Sequence, residues 1–429
     1  MGKNARLATA FFLILAAVNL SLSLTLARES PLRVQARTFF TLERVARPGD
    51  LIPMHQVLQT LRTGKERIYQ EQFFKNRLKF IYPPTALVFF HPFRGLSEDR
   101  FRLLFADVVN RLFLLLGIIC FFVLLRRWAR LGEQPLLRRL ALQAAFAVLL
   151  LTFYPFFKAF TLGQAQVWIN SLLLLALVAA LSGRPGLAGG ALAVCTLIKP
   201  SYGLLLLWGV VRRRWRFCLV FVLVGAIGLG VSLSLYGWQN HADYLRVFRL
   251  IGQRGEGYYP NQSLNGLLNR ALFNGSNISW DAHRYPPRNP AVTWGSTLFA
   301  AFMTLLGLWL ARPRPGSSDW LSLALMFLCV SLAAPIAWEH SYGYTVPLFL
   351  LAMLAAFDRD RPDAPRLALA VLAFLLASHF LHFVNLRFHA TRLNFLQSYL
   401  FFSECVLLGL LAGFPRRGES AASAPPAAQ

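Results

Sequence analysis

Acidic side chains are scarce in this chain. Nineteen Asp and Glu stand against 44 Lys and Arg, a formal charge of +25 over 429 residues. In a water-soluble protein that imbalance would point to nucleic acid, but no helix-turn-helix, zinc-finger or RNA-binding signature is present. Nucleic acid is therefore not an expected partner, and anionic lipid head groups or phosphorylated lipids are. Cysteine is nearly as rare. Cys120, Cys195, Cys218, Cys329 and Cys405 all lie in or beside apolar blocks with no paired spacing in the loops, a pattern that argues against a disulfide framework or a zinc site.

Apolar residues are abundant. They make up 56% of the chain, and the mean hydropathy is +0.48, above the roughly 45–50% of a soluble protein. They fall in unbroken blocks rather than amphipathic stripes, long enough to cross a hydrocarbon core of about 30 Å. Candidate spans are 7–26, 104–125, 138–156, 162–181, 187–211, 217–236, 291–311, 320–337, 342–357, 366–384 and 395–413. The first follows Lys3 and Arg6, is long for a signal peptide and lacks a small-x-small cleavage site before Arg28, which predicts an uncleaved anchor over 1–26. Hydrophilic stretches at 27–103 and 237–290 separate bundles at 104–236 and 291–413, and the Ala, Ser and Pro-rich tail 414–429 reads as disordered.

Charge placement predicts the topology. Arg126, Arg127, Arg130, Arg138 and Arg139 mark one cytoplasmic loop, and Arg184 marks another. If 187–211 crossed the membrane once, the cluster Arg212-Arg213-Arg214-Trp215-Arg216 would lie outside, followed by Arg312, Arg314, Arg359, Arg361 and Arg366. A re-entrant hairpin places every cluster inside, and Lys199-Pro200 breaks the segment between two apolar halves. The expected fold is an all-α polytopic bundle of about ten full spans plus a re-entrant hairpin at 187–211. Both termini are then cytoplasmic, and the two long loops share the outer face.

That face gathers the candidate chemistry. Asp50 precedes a helical pattern at 51–63, as a helix cap or as a general base. Tyr69 and Tyr82 suit an interfacial belt or substrate contacts, and Tyr82-Pro83-Pro84 forms a rigid turn. Gln164 and Gln166 open a span with two amides, fit to bind a sugar or to satisfy nearby backbone. Lys199 is a charge at membrane depth, where insertion costs roughly 2.5–3.5 kcal/mol, so phosphate binding outweighs a structural role. Tyr258-Tyr259-Pro260-Asn261-Gln262-Ser263 precedes Arg270, and Trp338-Glu339-His340 sits at the outer end of the span 320–337.

Taken in order, Asp50 with Gly64 and Tyr69, Tyr82-Pro83-Pro84, Gly163-Gln164, Lys199-Pro200, Asn261-Gln262-Ser263 with Arg270, and Trp338 with His340 resemble glycosyltransferase family 87. These are the polyprenyl-phosphate-mannose-dependent α-mannosyltransferases of the GT-C fold, and the resemblance covers roughly residues 45–390. It implies an inverting, metal-independent hexose transfer without a cofactor, from a polyprenyl-phosphate-linked sugar donor in the bilayer to a glycan or glycolipid acceptor. By the same resemblance Asp50 is the catalytic base, and Lys199, Arg270 and His340 hold the donor phosphate. Tyr69, Tyr82, Gln164, Gln166, Asn261, Gln262 and Trp338 are expected substrate contacts. The alternative is a lipid or lipid-linked-sugar flippase, whose intramembrane lysine would serve alternating access. No internal repeat supports it.

Overall fold

A computed structural model describes residues 3–26, 51–62, 67–281, 283–357 and 362–414. Asp50 and Gly64 lie outside the described residues. Among those described, all regular structure is helical apart from one isolated bridge between Asn261 and Trp338. The main helices in chain order are α1 (Lys3–Thr25), α2 (Leu51–Arg62), α3 (Asn110–Trp128), α4 (Leu136–Leu151), α5 (Tyr154–Thr161), α6 (Gln166–Leu181), α7 (Pro185–Ile198) and α8 (Leu205–Val211). They continue with α9 (Trp215–Arg254), α10 (Leu264–Ala271), α11 (Pro290–Ala311), α12 (Asp319–Ala333), α13 (Val346–Ala356), α14 (Ala364–Ser378), α15 (His382–Phe388) and α16 (Tyr399–Ala412).

The chain is an integral membrane protein. Five helices are long and apolar enough to cross a bilayer, or up to seven if the bent pairs α4–α5 and α14–α15 each count as one span. That is fewer than the ten full spans expected, and the reason is local. Thr152-Phe153 and the stretch after Ser378 interrupt two helices, with bends of 52° and 80°. Helix α12 has only 15 residues, which at 1.5 Å per residue is about 22 Å against a core of about 30 Å. A second difference concerns α9. Hydropathy ends the expected span at 236, yet the helix runs on to Arg254 past a non-helical Gly237. The extension is polar and held from the side: Asn240 Oδ1 accepts from Ile68 N at 2.9 Å, and Asp243 pairs with Arg67 at 2.6 Å.

The segment formed by α7 and α8 turns back along α9. Gly189 in α7 and Gly209 in α8 both pack on Phe217 at the start of α9, where an added Cβ would clash, while Leu197 near the end of α7 lies against Gly228 further along α9. The segment therefore leaves the level of Phe217 and returns to it, with Lys199 at the turn. Pro200 forces this break: Lys199 adopts extended backbone (φ −137°, ψ 98°). The freed carbonyl of Leu197 accepts from Thr85 Oγ1 at 2.6 Å, so the turn after Tyr82-Pro83-Pro84 closes over the hairpin tip.

Side-chain contacts also gather the basic clusters at one end of the bundle. Arg138 Nε donates to Thr9 Oγ1 at 2.8 Å, Arg127 to the Leu181 carbonyl at 3.2 Å, and Arg212 to Asp319 at 2.7 Å. The Trp128 and Trp320 rings meet at 4.9 Å, and Phe11 and Phe357 at 5.3 Å. Loops 126–139, 181–184, 212–216, 312–320 and the end of α13 are thus neighbours of the first helix's basic end.

Candidate functional site

At the other end lies a cavity of about 1460 Å³. Its polar side is lined by Tyr82, Lys158, Gln164, Gln166, Lys199, Trp338, Glu339 and His340, and an aromatic wall carries Tyr258, Tyr259, Trp280 and Tyr285. An apolar passage continues from it between Phe248 and Ile251 of α9, Ala300, Thr304 and Leu305 of α11, and Val330 of α12.

The polar side is built from the turn at Glu339–Thr345 and the hairpin tip. Lys199 Nζ points at Ser341 Oγ, 3.5 Å away. The His340 carbonyl accepts from Asn170 Nδ2 at 2.9 Å, and Asn170 Oδ1 accepts from Gln166 Nε2 at 3.1 Å, so one amide relay from α6 sets the position of this turn. Burial holds the His340 imidazole well below its usual pKa, and the positive charges of Lys199 and Lys158 add to the effect, so His340 is neutral near pH 7. Glu339 is also buried. Tyr154 Oη donates to its Oε2 at 3.1 Å, while Oε1 has no hydrogen-bond partner among the described residues. Burial pushes this carboxyl up to about 7, against the pull of Lys158.

Of the residues predicted from sequence, Tyr82, Gln164, Gln166, Lys199, Trp338 and His340 line the cavity. Tyr69, Asn261, Gln262 and Arg270 are not among its lining residues. Tyr69 is fully buried, with its hydroxyl donating to the Tyr82 carbonyl at 2.6 Å. Asn261 bridges two loops: its Nδ2 donates to the Glu256 carbonyl at 2.8 Å, its Oδ1 accepts from Ala337 N at 3.0 Å, and Glu339 N donates to the Pro260 carbonyl at 3.0 Å. Gln262 donates to the carbonyls of Tyr259 and Gln397, both at 2.7 Å. Arg270 is buried with its guanidinium on the Asn261 carbonyl (3.0 and 3.1 Å) and Ser398 Oγ (2.7 Å). Tyr69 braces the turn at Tyr82, and the other three brace the loops that present Trp338, Glu339 and His340.

Arg270→Ala would orphan several buried acceptors at once, each worth about 1–3 kcal/mol. It is expected to lower stability by at least about 3 kcal/mol, read as a fall in apparent Tm of the purified protein. A variant with unchanged Tm would show that Arg270 is not a brace.

Sequence reading missed Glu339, Lys158 and Lys79. Glu339 stood inside a triplet already singled out. Lys158 interrupts an apolar run from Tyr154 to Leu162, the same signal that marked Lys199. Nothing local distinguishes Lys79.

The pattern that defines Glycosyltransferase family 87 matches residues 80–338. No curated protein and no solved structure gives a significant match. The matched stretch exceeds half of the chain and holds most of the cavity lining, from Tyr82 to Trp338. The chain belongs to glycosyltransferase family 87, and it is a glycosyltransferase.

Proposed function

We propose that this enzyme transfers a hexose, mannose by family precedent, from a polyprenyl-phosphate donor to an acceptor hydroxyl at the non-cytoplasmic face of the membrane. The observation that carries this reading is the joining of a cationic pocket to a lateral apolar passage. Lys158 and Lys199 face the same cavity whose apolar arm reaches Leu305, which is 66% exposed on the surface of α11 that would meet lipid. An amphiphile with a phosphate head and a long hydrocarbon tail has matching chemistry along this whole path. A water-soluble nucleotide sugar would leave the apolar arm unfilled.

In the proposed step the acceptor oxygen attacks the anomeric carbon as the bond from that carbon to the phosphate oxygen breaks. The acceptor proton passes to Asp50 and configuration inverts. The lipid phosphate departs carrying the bonding pair, with its developing charge met by Lys199 and Lys158. Pro53, three residues after Asp50 in the sequence, lines the cavity, which supports the assignment of Asp50 as the base. Neutral His340 is suited to donate or accept a hydrogen bond at the same end.

The orientation follows from the gathered arginines: the basic end is cytoplasmic by the positive-inside rule, and the cavity faces outward. In a bacterium that face would be periplasmic. Ten passes with a re-entrant α7–α8 hairpin account for the short and bent helices.

The decisive assay supplies radiolabelled polyprenyl-phosphate-mannose to proteoliposomes. A new glycosidic product supports the reading, whereas donor translocation without product would favour a flippase. Reporter fusions after Arg216 and after Arg312 are both expected to report cytoplasm. An external signal at either position would break the topology.

A further inference from the structure

The aromatic wall of the cavity has no part in the transfer step just described. Lys79 and Glu256 form an ion pair there, Nζ to Oε2 at 2.7 Å, with side chains only 5% and 6% exposed. The Lys79 ammonium lies 4.0 Å from the Trp280 ring and 4.5 Å from the Tyr285 ring, a desolvated cation–π arrangement. Trp280 is thus propped from one face. Its ring also meets those of Trp338 at 5.3 Å and Tyr258 at 6.0 Å, and the turn that follows it is fixed by Asp281 Oδ1 accepting from His283 N and Arg284 N. Yet Trp280 remains 44% exposed. A large ring held this firmly and left open in a cavity is the form of a ligand platform.

The wall also states what ligand it suits. Its rings offer flat apolar faces with polar edges, and the Tyr285 hydroxyl is buried with no partner among the described residues. A pyranose pairs an apolar C–H face with hydroxyls around its rim, whereas a serine side chain or a simple alcohol has no such face. Lys79 and Glu256 cancel each other's charge, so the wall does not select an anion. Trp338 connects it directly to Glu339 and His340, which puts a bound ring next to the donor end.

We propose that this wall is the acceptor subsite and that the acceptor is an uncharged saccharide whose ring packs on Trp280. The proposal rests on the donor assignment above only for the placement of the reacting hydroxyl.

The test uses the full chain in nanodiscs. α-Mannobiose, maltose and cellobiose are titrated and followed by saturation-transfer NMR, and undecaprenyl phosphate binding is followed separately by thermal shift. At least one disaccharide is expected to bind, and Trp280→Ala to weaken it by about tenfold or more, the effect of losing an aromatic anchor, with Trp280→Phe losing less. Undecaprenyl phosphate binding should be unchanged in Trp280→Ala, which also shows that the variant is folded. Absence of disaccharide binding, or equal binding by wild type and Trp280→Ala, overturns the acceptor wall. If undecaprenyl phosphate fails to bind the wild type while Trp280-dependent saccharide binding persists, the wall stands and the donor reading falls.

Discussion

Lys199→Met is expected to reduce sugar transfer by about 10²–10³-fold at saturating donor, the range seen when one group that stabilises developing negative charge is removed. Methionine keeps the length and apolar stem, so the hairpin tip should still pack. What is lost is a cation at a position the fold goes to some length to maintain. Pro200 opens the helix, Thr85 satisfies the carbonyl that the break frees, and Ser341 receives the ammonium at 3.5 Å. Of the cavity lysines, Lys79 is taken up by Glu256, whereas no ion pair of Lys158 or Lys199 is seen among the described residues. A lone charge in such a place is retained at a cost, and the proposed departing phosphate would account for the retention. Lys199→Arg keeps the charge and should recover part of the activity. Transfer by Lys199→Met within about threefold of wild type would remove Lys199 from the phosphate site, since that leaves under 1 kcal/mol for its role.

Lys199 was legible because charge and hydropathy conflict at one point in the chain. The same logic motivates the proposed re-entrant segment: a segment that returns reconciles five arginine clusters with one membrane face. Other features needed three dimensions. The family resemblance assigns Asn261 and Gln262 to substrate and Arg270 to the donor phosphate, and no local pattern shows the packing contacts they also make. Those contacts are with partners such as Ala337 and Ser398, 76 and 128 residues away. Lys79 and Glu256 are 177 residues apart, and no local pattern announces their pairing. The far half of α9 was missed because hydropathy tracks the bilayer, whereas the helix continues wherever polar side chains such as Asn240 and Asp243 find lateral partners.

Asp50→Asn is expected to lower the transfer rate by about 10²–10⁴-fold, the usual contribution of a positioned general base, with donor affinity little changed. The cavity contains a rival carboxyl, Glu339, and the pH profile separates the two. A reaction driven by Asp50 should keep its pH profile when Glu339 is changed. Glu339 is raised to about 7 by burial. As a base it would be mostly protonated below that value, and the rate would climb about tenfold per pH unit up to 7 before levelling. Glu339→Gln preserves the contact with the Tyr154 hydroxyl and the size of the side chain while removing the titration. If Asp50 is the base, Glu339→Gln keeps the wild-type profile and loses far less activity than Asp50→Asn. The opposite result, a rising limb with its midpoint near 7 that vanishes in Glu339→Gln while Asp50→Asn remains active, would move the proton transfer to Glu339. Asp50 would then have no part in the proton transfer.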